Sequence, residues 1–252
     1  MISTDELVTY LNSYLSSECF NDYAPNGLQI QGAQTIKTIC TAVSASYQAI
    51  IAASQLQADA LLVHHGFFWR GEKQVITGIK YQRISSLINH NMNLIAYHLP
   101  LDCHPDVGNN ACLAKILGVN DIKMHAVSQT PNLLWTGMFS RDISAQSLQK
   151  RLSDQLNRQA LHINGHNRAI RKIAWCSGAA QDFISDAMEL GADAYISGEI
   201  SERTYYEAQE LGIHYYACGH HATERYGIQA LGEHLGHLFD LQHHYLDSNN
   251  LI

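Results

Sequence analysis

Apolar positions at the start of the chain recur at helical spacing. Leu7, Val8, Leu11, Tyr14 and Leu15 share one face, and Ser3 with Glu6 forms a capping box ahead of them. The turn-forming run Ala24-Pro25-Asn26-Gly27 ends that segment. From Ile36 onward the pattern changes to strand–helix–strand. Ile36–Val43 reads as a strand, Tyr47–Gln55 as a helix, and Ala60–Val63 as a short buried strand running into His64-His65-Gly66. Arg83–Asn89 reads as a helix, and the strand Leu94–His98 leads into Leu99-Pro100-Leu101-Asp102. Gly108-Asn109-Asn110 caps a further helix that stops at Gly118. Residues 119–168 hold a strand at Leu133–Phe139, a helix behind Ser144 over Ala145–Asn157, and a short strand at Leu161–Ile163, with no obvious chemistry. The tail from Phe239 reads as a terminal strand with two surface histidines, His243 and His244.

The rhythm recurs after Arg171, in register. Ile173 matches Ile39, and Ala192-Asp193-Ala194 matches Ala58-Asp59-Ala60, both 134 positions apart. Gly198 and Glu199 then fall where His64 and His65 stood. Past the next helix the offset is 122, so that His220 matches His98 and Glu224 matches Asp102. Helices ending at Gly118 and near Gly236 close each unit. The expected fold is therefore α/β, with two similar halves arising by internal duplication and mixed sheets flanked by helices. The first half covers 1–125, a short β-α-β segment covers 126–168, and the second half covers 169–252.

Composition narrows the function. Of 252 residues 46% are apolar and 15% charged, against roughly 25% charged in ordinary soluble domains, so a substantial core is expected and disorder is not. The best apolar stretch, Ala58–Val63, falls far short of the roughly 18 residues of a membrane span. Ser3, Thr4, Asp5 and Glu6 lack the basic and apolar regions of a signal peptide. Six cysteines with no CxxC pair read as reduced thiols in the cytoplasm. A net charge of −7 without a Lys/Arg cluster argues against a nucleic-acid partner.

Fifteen histidines are the conspicuous feature. His64 and His65 follow an apolar strand, where burying imidazole is costly unless each nitrogen finds a partner, and a metal is one such partner. The alternative is one core histidine beside one solvated histidine. His220 and Glu224 are four apart in His220-His221-Ala222-Thr223-Glu224, so on a helix they share a face and can grip one ion, or else form an ordinary exposed pair. Asp102, presented after Pro100, is either a ligand or a turn residue. Together these five nitrogen and oxygen donors exceed the three that one catalytic zinc takes from protein, and they suit two ions. With no thiolate among them, Zn, Mn, Fe, Co and Ni are all admissible. His98, His221, Thr223 and Glu199 are candidates for orienting the ligands.

These stretches, together with Asp22-Tyr23-Ala24-Pro25-Asn26-Gly27-Leu28-Gln29 and Ser197-Gly198-Glu199, resemble the YbgI-like proteins. Those are called GTP cyclohydrolase 1 type 2 homologues, within the NGG-interacting-factor-like family. The resemblance runs from about residue 5 to residue 240. It implies intertwined α/β halves, a dinuclear centre held by His64, His65, Asp102, His220 and Glu224 with Glu224 bridging, and a toroidal homohexamer. Residues 119–168 look like the short version of an extra middle domain in larger members.

Two functions follow as expectations. One is a dinuclear-metal hydrolase, in which water attacks a nucleotide-like or cyclic amide substrate, His98 or His221 transfers protons and Glu199 positions. The other is a non-catalytic metal carrier or partner-binding scaffold, favoured by a closed set of protein ligands. A ring that threads nucleic acid is disfavoured by the net charge. Neither GxGxxG nor GxxxxGK[ST] occurs, so phosphate recognition would fall to the metals, Arg225 or helix N-termini.

Overall fold

A computed structural model describes residues 1–252. In chain order it opens with β1 (Ile2–Ser3), α1 (Thr4–Tyr14), β2 (Gly27–Ile30), β3 (Thr35–Ile36), β4 (Thr38–Ser44) and α2 (Tyr47–Gln55). Then come β5 (Ala60–His65), α3 (Gly78–Asn89), β6 (Asn93–Ala96), α4 (Leu99–Cys103) and α5 (Asn109–Leu117). The middle holds β7 (Asn120–Val127), β8 (Thr130–Ile143), α6 (Ala145–Leu156), β9 (Leu161–Ile163), β10 (Ile170–Trp175) and α7 (Ile184–Glu189). The chain closes with β11 (Ala194–Ser197), α8 (Glu202–Leu211), β12 (His214–Ala217), α9 (His220–Phe239) and β13 (Gln242–Tyr245). The fold is mixed α/β, as the alternating pattern predicts. Two compact units are present: one comprises Met1–Leu101 with Gly227–Ser248, the other Asp102–Tyr226 with Asn249–Ile252.

In the first unit a five-stranded sheet runs β13-β4-β5-β6-β2, parallel throughout except for β2. Parallel strands are covered on both faces, which is why β5 reads Ala-Leu-Leu-Val with no alternation. Cys40, Ala42, Leu61, Val63, Leu94 and Ala96 form a core with Ile50 and Ala53 of α2 and Ile84 and Leu87 of α3. The predicted capping box is present: Ser3 Oγ accepts the Glu6 amide, and the Glu6 carboxylate accepts the Ser3 amide, each at 3.2 Å. The terminal strand differs from expectation. β13 pairs in parallel with β4, and His243 is half-buried, with Nε2 2.8 Å from Thr41 Oγ1. Its ring lies against Gly232 of α9, where a Cβ would stand 2.2 Å from Nε2, so a larger residue there would displace the His243 ring.

The second unit contains a six-stranded sheet, β7-β8-β10-β11-β12-β9, with β10, β11 and β12 parallel. Its core gathers Trp135, Trp175, Ile196 and Tyr216 against Leu148, Leu152 and Leu156 of the amphipathic helix α6. Ser144 caps α6 as predicted, accepting the Ser147 amide at 3.1 Å.

Both units use the same device to start their parallel ladders. Asp59 Oδ2 accepts the amides of Lys37 and Thr38, and Asp193 Oδ2 accepts those of Arg171 and Lys172, the positions 134 residues further on. The following strand pair refines the register. Ala60 pairs with Asn93, and Ala194 with His214, an offset of 121 rather than 122. Counted from these strands, His98 stands at the position of Gly219, and His220 follows as the first residue of α9.

Residues 119–168, where no chemistry is expected, contribute His162 and His166 to a histidine cluster with His214. His162 on β9 and His214 on β12 face one another, Nε2 to Nδ1 at 3.0 Å, and the His166 ring lies 4.2 Å from that of His214. Burial first, then neighbouring His166 and His162, depress His214 to about 4 from its ordinary 6.5. The sign follows directly. Below about pH 6.5 the unfolded chain takes up a proton at His214 that the native chain refuses until about pH 4. Stability is therefore lost across that window, by up to ~3 kcal/mol. Urea unfolding between pH 7 and pH 4.5 checks this. His214→Gln is expected to flatten the decline relative to the parent, and an unchanged slope would refute the assignment.

Candidate metal centre

In the first unit, β5 ends on His64 and His65, and the chain leaving β6 carries His98 two residues past the strand. Strand ends at the C-terminal edge of a parallel sheet are where α/β folds place their ligands. His64 is fully buried, and its Nδ1 lies 3.0 Å from the Tyr97 carbonyl oxygen. A carbonyl only accepts, so Nδ1 carries the proton and Nε2 is the lone-pair nitrogen. His65 Nδ1 is 3.2 Å from Ser44 Oγ. His98 Nδ1 is 2.7 Å from Asp22 Oδ1. The ligand atoms of the three histidines lie within 4.8 Å of one another. Trp69 packs edge-on against His98, ring centroids 5.0 Å apart.

Asp22 lies in the Asp22–Gln29 stretch, and the sequence gives no sign that it reaches His98. It also accepts the Leu99 amide (2.9 Å), the Asn26 side chain (3.0 Å) and the Tyr23 amide (2.6 Å). Burial raises its pKa, but the His98 hydrogen bond and charge, aided by Asn26 and Tyr23, outweigh burial, and its carboxyl ends below the usual range. An ionised Asp22 fixes the His98 tautomer and ring orientation, as carboxylates do for metal-site histidines.

In the second unit, Asp102 on α4 and His220 and Glu224 on α9 carry the acid-rich set. Asp102 and Glu224 are buried, with ligand oxygens within 4.8 Å of each other. Asp102 Oδ1 accepts Ser177 Oγ–H at 2.8 Å and the Asn109 side-chain Nδ2–H at 2.9 Å. His220 and Glu224 are one turn apart as predicted, Nε2 to Oε2 at 3.0 Å, while His220 Nδ1 is 2.6 Å from Glu199 Oε1. Burial opposes charge on His220, yet Glu224 and then Glu199 raise it to about 9. Gly178, at φ +67°, lies against Glu224: a Cβ there would stand 2.2 Å from Oε1. Thr223 Oγ1 accepts the Gly178 amide at 3.0 Å and holds that turn in place.

Glu199 thus sits beside His220, and His98 beside the β5 histidines, consistent with ligand-orienting positions. His221 is buried on α9, and its ring is not among the converging donors. Ser177, Asn109 and Ser44 were not singled out from sequence, because each acts only through a partner distant in the chain. Cys176 is fully buried next to Asp102 and Glu224. Burial, then those two charges, push its thiol well above the ordinary range, and its sulfur is not among the converging donors.

A mixed α/β chain with buried His/Asp/Glu groups able to hold a metal ion is the class this fold and these side chains define. The chain belongs to the Duf34/NIF3 (NGG1p interacting factor 3) family, whose profile matches residues 2–250. A Yersinia pestis protein called GTP cyclohydrolase 1 type 2 homolog is 46% identical over 246 residues, covering 97% of this chain and 98% of its own. A Vibrio cholerae protein of the same name is 47% identical over 254 residues, covering 98% of each. The solved protein ybgI, described as of unknown function, shares 40% identity with a TM-score of 0.95 over the whole of both chains.

Proposed function

We propose that His64, His65, Asp102, His220 and Glu224 together hold two divalent ions and that the protein is a metal-dependent hydrolase. The substrate proposed is a small nucleotide-like or cyclic amide ring, in keeping with the cyclohydrolase name carried by its relatives. One observation carries the reading: the histidine donors are already oriented from behind, His64 through the Tyr97 carbonyl and His220 through Glu199, as metal-ligating histidines are. Chain continuity supports joining the two sets, because α4 begins one residue after His98 and ends past Asp102. Divalent ions bound there would supply Lewis acidity that polarises the scissile group and acidifies water.

The chain's own residues divide the remaining work. Asp22 holds the proton on His98 Nδ1, so Nε2 is the base that takes the proton of attacking water. His98 is better suited than His221 because its ring stands with the donor histidines. Glu199 positions His220, and Ser177 with Asn109 restrains Asp102. A homohexameric assembly is proposed alongside, supported by the exposed apolar side chains Val75, Ile76, Ile79, Tyr81 and Ile88. Six free cysteines favour a cytoplasmic location, and no helix is long and apolar enough to cross a membrane.

The test is elemental analysis of purified protein, followed by turnover of a panel of nucleotides and cyclic amides by the metal-loaded form. Activity is expected to vanish in the His64→Ala/Glu224→Ala double variant. Turnover equal to that of the double variant rejects the hydrolase. Metal bound without turnover, and passed rapidly to an apo acceptor, would instead establish a carrier.

A further inference from the structure

Two loops of the first unit meet beside His98: residues 20–26, ahead of β2, and residues 66–77, behind β5. Apart from Asp22, the proposed reaction uses nothing in them. Yet the two are tied to each other closely. Gln29 of β2 donates to the Pro25 carbonyl at 2.8 Å and the Phe67 carbonyl at 3.2 Å, and its side-chain oxygen accepts the Phe67 amide at 2.7 Å. The Arg70 amide donates to the Tyr23 carbonyl at 2.7 Å, and the Arg70 guanidinium donates to the Asp22 carbonyl at 3.0 Å. Between these ties Phe68 takes φ +66°, a left-handed conformation that side chains rarely adopt. Strain of that kind persists only where the surroundings over-determine it, and it collects at ligand sites.

What the ties hold in place is a pair of aromatic rings. Trp69 is half-buried, its ring 5.0 Å from that of His98 and 5.9 Å from that of His65. Its indole N–H is taken by the Gly66 carbonyl at 3.2 Å, so what remains for a ligand is ring surface rather than a hydrogen bond. Tyr23, on the other loop, is 56% exposed with its ring 6.3 Å from that of His98. A single exposed aromatic side chain is ordinary. Two of them, on separate braced loops and beside the same donor histidine, form a prepared surface for a flat ligand.

We propose that Tyr23 and Trp69 are the specificity-determining residues of this site, receiving the face of an unsaturated heterocycle of nucleobase type in preference to a saturated cyclic amide. The proposal rests on the reading of the centre as one that acts on a small ring, and it chooses between the two ring classes named there. Stacking requires a delocalised ring and tolerates any base, because every base has a π-face, whereas a saturated lactam has none to offer. Loops already fixed by backbone ties lose little freedom when the ring arrives, which favours binding.

The experiment follows tryptophan fluorescence of the full chain during titration with guanosine and, separately, uridine, with δ-valerolactam as the saturated competitor. Trp135 and Trp175 are 3% and 0% exposed, so Trp69 is the fluorophore a ligand can reach. Saturable quenching is expected with at least one nucleoside, and Trp69→Phe is expected to abolish it. Tyr23→Leu keeps the reporter and should weaken binding about tenfold, the effect of losing one stacking partner. Tyr23→Phe keeps the ring and should restore parental affinity, which a purely structural role of the hydroxyl would not allow. The lactam at matched concentration should not displace the nucleoside. No saturable quenching by either nucleoside, quenching that survives in Trp69→Phe, parental affinity in Tyr23→Leu, or displacement by the lactam would each overturn the proposal. Turnover is scored separately on the same proteins. Quenching that responds to both rings without turnover upholds the stacking pair and strikes the hydrolase, while turnover indifferent to Tyr23→Leu strikes the pair alone.

Discussion

Glu224→Gln is expected to lower affinity for divalent metal by about 100-fold or more, because removing a ligand should exceed the 10–100-fold typical of losing a partner behind one. The amide matches the carboxylate in size, which matters where Gly178 leaves no spare volume against Oε1. The variant therefore tests charge and donor chemistry rather than packing. His220 also loses the neighbour that does most to raise its pKa, so the metal-free variant should hold a more weakly basic imidazole. Two measurements check this. Elemental analysis should find metal in the parent and little in the variant. Thermal unfolding should show the parent gaining about 2.7 kcal/mol at a metal concentration one hundred times its dissociation constant, and the variant gaining almost nothing there. Metal retained by Glu224→Gln at parental affinity would remove Glu224 from the donor set.

Why some of this was legible in sequence, and some was not, follows from the range of the interactions involved. Tyr47–Gln55 begins at a serine that caps it, and α5 ends on Gly118 in the left-handed region, so local chemistry marks those boundaries. The i, i+4 spacing of His220 and Glu224 is equally local. The Asp59–Asp193 repeat was visible because one side chain performs the same backbone task twice. β7 left no pattern, since nearly all of Asn120–Val127 is exposed at a sheet edge and nothing forces alternation. β2 was hidden because Gly27, at φ +103°, both finishes a turn and starts a strand. Asp22 lies 76 residues from His98 and His162 lies 52 from His214. Pairings of that range depend on strand order, which periodicity does not encode. The one-residue slip between offsets 122 and 121 has the same origin: matching side chains finds similar chemistry, whereas strand register counts backbone positions.

Trp175→Ala is expected to cost about 4 kcal/mol, within the range for deleting a buried large aromatic side chain. Trp175 is fully buried at the end of β10, with its ring centroid 6.0 Å from that of Trp135. Its indole N–H donates to the Asn110 carbonyl at 3.0 Å, so truncation creates a cavity and also removes a buried hydrogen bond. Asn110 in turn donates to the Asp102 carbonyl at 3.2 Å and accepts the Ser177 amide at 3.0 Å, and Ser177 holds the Asp102 carboxylate. Core packing and the placement of Asp102, a proposed ligand, are thus one connected network, and Trp175→Phe separates its two contributions. Phenylalanine refills most of the volume but cannot donate, so stability should recover by roughly half while Asn110 stays loosened. Metal affinity in Trp175→Phe should then fall by about tenfold, the lower end of the effect of disturbing the groups behind a ligand. Urea unfolding gives the first quantity and metal titration of the folded variant the second. If Trp175→Phe binds metal as the parent does, Asn110 holds its place without the indole, and the core and the donor set are energetically separate.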